Sequence, residues 1–110
     1  MSNDFILPMK MRSVDTAGIA LGSYTEIGNP FLKALSFLRI TNASDTNVII
    51  SYDGINDHEF VYKSGGSIEI NFQKCASVSN SFGKLRKGTI LYIRGAVGTG
   101  LVYVSGYYNN

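Results

Sequence analysis

The chain has 110 residues, with ten Lys and Arg against eight Asp and Glu and a formal charge of +2. That length suits one domain, and so slight a basic excess argues against a nucleic-acid module. Seven Tyr, six Phe, twelve Gly and two Pro, among many Val, Ile, Ser, Thr and Asn, favour strands over helices.

The first residues, MSNDFILPMKMR, lack a basic stretch ahead of an apolar run, so no secretory signal is expected. Pro8 within this apolar segment suits an edge strand or an extended arm. Residues 1–14 are assigned to that arm or edge strand and 15–110 to a single β-sandwich domain. Phe5, Ile6, Leu7, Met9 and Met11 are candidates for ordering against a neighbouring chain. On that reading, deleting residues 2–11 abolishes attachment and leaves the β fold intact.

Residues 17–27 offer a strand distorted by Gly18 and Gly22. Residues 32–41 alternate, with Leu35, Phe37 and Arg39 facing one way and Ser36, Leu38 and Ile40 the other. NASDTN (42–47) reads as a polar turn. Its NAS also fits the glycosylation acceptor pattern, taken here only as a turn signal. In 48–53, Val48, Ile50 and Tyr52 share a side; 59–63 is a short strand; in 67–72, Ile68, Ile70 and Phe72 point inward and Glu69 and Asn71 outward. Strands at 89–95 and 101–108 close the chain. About seven strands at this spacing predict an all-β antiparallel sandwich, jelly-roll or Ig-like, with a small barrel as the alternative.

The glycines of GAVGTG (95–100) raise the question of a phosphate loop. No Lys follows them, and the next residues, LVYVSGYY, are β formers and not a helix start. A hairpin turn between two strands is expected instead. Asp53, Asn56, Asp57 and His58 form the most polar concentration, which suits a structural turn or a surface recognition loop. The spacing misses the calcium loop, with Gly54 and Ile55 in ligand positions, and one His with a distant Cys75 falls short of a zinc site. No G-x-S-x-G is present. No catalytic residue, cofactor, metal or small-molecule substrate is therefore expected. Cys75 reads as an isolated thiol, in keeping with a reducing compartment. Lys84, Arg86 and Lys87 read as a solvated basic loop. In the last strand Tyr103 and Tyr107 oppose Val102 and Val104, and Tyr108 begins an exposed tail. Tyr107 and Tyr108 join the interface candidates because exposed Tyr is favoured at interfaces.

Together, RITNASDTNVIISYDGINDHEFVYKSGGSIEINF and LRKGTILYIRGAVGTGLVYVSGYY resemble a group of small tailed-bacteriophage virion proteins. The likeness spans most of residues 34–108 and lies in strands and turns: an N-x-S-D turn, S-[FY]-D-G-x-x-D-H, and a closing K-G-T…G-x-x-G-T-G…Y-V-S segment. It implies a non-enzymatic virion subunit, in capsid decoration, neck (head–tail connector) or tail. Such a protein assembles in the host cytoplasm, binds other virion proteins and forms homo-oligomers, without nucleic acid or membrane. The competing expectation is a carbohydrate-binding sandwich for host-surface recognition, although Trp, the usual sugar-stacking residue, is absent.

Overall fold

A computed structural model describes residues 6–72 and 85–109, with the side chains of Ile6 and Asn109 left out. Among the described residues are nine strands: β1 (Ile6–Pro8), β2 (Arg12–Asp15), β3 (Thr25–Glu26), β4 (Phe37–Asn42), β5 (Val48–Ser51), β6 (Glu59–Val61), β7 (Gly66–Asn71), β8 (Tyr92–Arg94) and β9 (Leu101–Asn109). They form two antiparallel sheets, one ordered β1-β9-β4-β7 with β2 also on β9, the other β3-β8-β5-β6. The architecture is a sandwich and not a closed barrel.

β1 and β2 run end to end along one side of β9. Pro8 faces Tyr107 and Arg12 faces Val104, so four steps on the edge oppose three on β9. One residue is therefore extra, which makes a β-bulge at 9–11. Pro8 is tolerated because an edge strand needs no outward N–H. Taken as one interrupted strand, β1–β2 gives each sheet four strands. Every connection then crosses between sheets except the β5–β6 hairpin. That wiring is a jelly roll.

The period-2 pattern fills the space between the sheets. Leu38 and Ile40 of β4, Val48 and Ile50 of β5, Ile93 of β8 and Val102 and Val104 of β9 are fully buried. Removing several methylenes from one of them costs about 2–5 kcal/mol. Ahead of β4 the expected strand is broken: Leu35 makes an isolated bridge to Leu85 and sits in the core despite sharing parity with Phe37. In place of a strand over 17–27 the chain has a 3₁₀ turn (Thr16–Gly18), capped by Asp15 Oδ1 on Ala17 N, and then the two-residue β3.

Three expectations are corrected. β8 and β9 lie in different sheets, so residues 95–100 form a crossover and not a hairpin. A Cβ on Gly98 would sit 2.6 Å from Asp45 Oδ1, and one on Gly95 2.7 Å from the Asn47 carbonyl oxygen. Close approach of the 43–47 turn thus excludes side chains there, and of the three only Gly100 has positive φ. Second, the polar turn at 42–47 does bond its own backbone, but Asn42 does more than close it. It ends β4 fully buried, its amide donating to the carbonyls of Thr46 (2.8 Å) and Val61 (3.1 Å). Its Oδ1 accepts from Ser44 N (3.0 Å) and Oγ (2.6 Å), so every valence is used and β4 is tied to β6 across the sandwich. Third, Tyr108 is not a tail. It pairs with Leu7 inside β9 and packs against the core.

Candidate interaction surfaces

The acid-rich loop between β5 and β6 turns its polar groups on itself. Asp53 Oδ1 accepts from the amides of Ile55 (2.8 Å) and Asn56 (2.9 Å) and from Ser51 Oγ (3.0 Å), and Oδ2 accepts from Asn56 Nδ2. The amides of Asn56 and Ile55 hold this carboxyl well below its usual range. Asp57 takes a two-pronged bond from Arg94, Nε to Oδ1 at 2.9 Å and a terminal nitrogen to Oδ2 at 2.5 Å. Tyr24 also donates its hydroxyl to Asp57. Arg94 and then Tyr24 lower the Asp57 carboxyl to about 2. His58 Nδ1 accepts from Tyr52 N at 3.0 Å. Burial, then Glu59, pushes the Tyr52 phenol upward. Gly54 lies at φ +73°, and a Cβ there would meet the Tyr92 ring at 3.0 Å. The loop is thereby stitched to itself and to β8. The large apolar side chain it presents outward is Ile55, 78% exposed, beside the exposed but engaged Asp53, Asn56, Asp57 and His58.

The glycine crossover is equally occupied. Gly95 N donates to Ala20 O, Gly98 N to Thr16 O and Thr99 N to Asp45 Oδ1. These are the amides that a phosphate cradle would need. Among the described residues no group of three or more His, Cys, Asp or Glu is arranged to hold a metal. Cys75 and Lys84 fall outside the described residues, and Arg86 and Lys87 are exposed beside the turn closed by Thr89 on Arg86 O.

The N-terminal candidates divide. Phe5 lies outside the described residues, and Ile6 is placed only by its backbone in β1. Leu7 is half-buried, Met9 packs on the core and bonds to Gly106 O through its amide, and Met11 is 58% exposed. Deleting residues 2–11 would strip β1 from β9 and remove Met9 from the core, so that truncation does not spare the sheet. Tyr107 points from the outer face of its sheet and stacks edge-on with Phe37. The structure does not gather Tyr107 with Met9, Met11 and Tyr108.

It does gather residues the sequence left apart. A groove of about 500 Å³ opens between the bulged edge (8–12) and residues 31–35. Met9, Met11, Phe31 and Tyr108 give it apolar walls, and Lys10, Arg12 and Lys33 surround them with positive charge. Arg12 donates to the carbonyls of Asn29 (2.5 Å) and Ile27 (3.3 Å), with its guanidinium 4.6 Å from the Phe31 ring centre. Burial draws that guanidinium below its usual pKa. Lys33 Nζ lies 5.8 Å over Tyr108. The only sequence signal for this groove was the interleaving of Lys10 and Arg12 with Met9 and Met11.

No family model, curated protein or solved structure with which the chain was compared matches it. Fold and surface chemistry therefore carry the functional reading.

Proposed function

We propose that the chain is a non-enzymatic structural subunit of a bacteriophage particle, held by contacts with other virion proteins and with copies of itself. The jelly roll hosts viral capsid domains and lectins alike, so the surface must choose between them. The observation that carries the reading is the division of that surface. The acid-rich loop engages the exposed carboxylates of Asp53 and Asp57 with its own amides and with Arg94. The groove at the N-terminal edge gathers apolar side chains and the cations of Lys10, Arg12 and Lys33, which have no carboxylate partner among the described residues. A surface of that kind suits attachment. The likeness to small tailed-phage virion proteins supports the source. Repetition on a symmetric particle multiplies modest contacts through avidity.

The test is quantitative mass spectrometry of gradient-purified particles, counting copies of this 12.0 kDa chain. Hundreds of copies mean capsid decoration, and a few tens or fewer mean neck or tail. Absence from the particle refutes the proposal.

One observation favours a second reading, carbohydrate recognition. Phe60 of the edge strand β6 and Tyr62 just after it form an edge-to-face pair at 4.8 Å, with Tyr62 69% exposed. A glycan-array signal lost in Tyr62→Ala would establish it, and an array without hits would remove it.

A further inference from the structure

We propose that the groove between residues 8–12 and 31–35 docks an extended acidic segment of a neighbouring protein. Its apolar side chains enter between Met9, Met11 and Tyr108, and its carboxylates meet Lys10, Arg12 and Lys33. The inference deepens the attachment reading above and rests on it for the source of the partner.

Charge balance is the first ground. Elsewhere on the described surface Arg39 is paired with Glu69 and Arg94 with Asp57, while Lys63, Arg86 and Lys87 lack an ion pair among the described residues. What sets the groove apart is that three such cations gather at one apolar cleft. Among the described residues, Lys10, Arg12 and Lys33 have no carboxylate partner and no acidic side chain lines the groove. Three cations around one apolar cleft attract an anion whose body is apolar. The second ground is the state of the aromatic rings. Arg12 stands over Phe31 and Lys33 over Tyr108, so those ring faces are covered by cations. Single-stranded nucleic acid uses such faces to stack its bases. A carboxylate-bearing chain needs only the cations. The third ground is the wall itself. Pro8 lacks an N–H and the bulge breaks the ladder spacing, so the edge cannot be lengthened by another strand here. Docking proceeds through side chains, for which two flexible Met are adaptable walls. Leu32, 83% exposed, extends the apolar surface beyond the cleft. The volume lies within the range of roughly 300–1,000 Å³ typical of ligand clefts.

The chain contains no Trp, so a peptide carrying one reports its own binding by fluorescence. The probe is an acetylated, amidated hexapeptide of sequence LDWELD. Its controls are LKWKLK and a fluorescently labelled oligo-dT. The full chain should bind the acidic hexapeptide saturably and neither control. The K10E/K33E double variant should lose about tenfold or more in affinity while its melting stays unchanged. Charge reversal at these positions disturbs no hydrogen bond shown for either side chain. Failure to bind the acidic peptide, equal binding by K10E/K33E, or binding of oligo-dT at comparable affinity would overturn the proposal. Particle mass spectrometry separates the two claims. A chain present in the particle that ignores the peptide refutes the groove alone. A chain that binds the peptide but is missing from the particle refutes the phage reading alone.

Discussion

The loop 52–58 and the groove at the N-terminal edge are both rich in side chains that attract a functional reading, and they are built in opposite ways. In the loop each acid has a partner: Asp53 holds its own backbone amides and Asp57 is forked by Arg94. Among the described residues, Arg12 in the groove is tied to carbonyls and a ring, and Lys10 and Lys33 have no carboxylate partner. The contrast teaches that density of polar residues is a poor guide to a site. What counts is whether the fold has already used their valences. A loop whose carboxylates are all engaged has traded reactivity for rigidity.

Gly54→Val should break the loop most severely. It places a β-branched residue at φ +73° against the Tyr92 ring, and a loss of about 2–3 kcal/mol is expected from strain and clash together. Urea unfolding measures it, and a loss below about 0.5 kcal/mol would mean that the loop is not stitched to β8 as described. Arg12→Met tests the groove's own framework. It keeps apolar bulk but drops the bonds to Asn29 and Ile27, so a loss of about 1 kcal/mol is expected in the same assay.

Asp57 sharpens the comparison through pH. Its folded pKa is lowered from 3.8 to about 2, so its contribution is fully present above pH 4 and disappears as pH falls from 4 to 2. Asp57→Asn should flatten that part of the acid limb in unfolding curves taken across this window. An unchanged slope would show that Arg94 and Tyr24 do not hold the carboxylate. The smallest effect belongs to Lys10→Glu with Lys33→Glu, whose melting should match the parent within about 0.5 kcal/mol. A larger loss would reveal that the groove cations already serve the fold.

The strands at 48–51 and 66–71 were legible because alternating β-branched residues must put one face in the core. Leu38 and Ile40 were placed on one shared face for the same reason, and the structure shows that this face is the buried one. The crossover at 95–100 was not legible as such. Glycines between two strands look alike whether the chain doubles back in one sheet or passes to the other, and only the pairing of β8 with β3 and β5 distinguishes them. Asn42 was hidden because a side chain that closes a turn and one that saturates a buried junction use the same groups. Tyr108 was misread as tail because the sequence did not show β1 lying beside it.

By itself, then, the sequence determined the all-β class, the alternation that divides each main strand into two faces and the absence of a phosphate-loop motif, all set by spacing along a few neighbouring residues. The tertiary structure alone decided the jelly-roll wiring, the burial of Asn42 and the spending of Asp57 on Arg94. It also brought Lys10 and Arg12 to Lys33 around one cleft. Those depend on contacts between segments about twenty or more residues apart, which local spacing does not encode and only the closure of two sheets on a common core can fix.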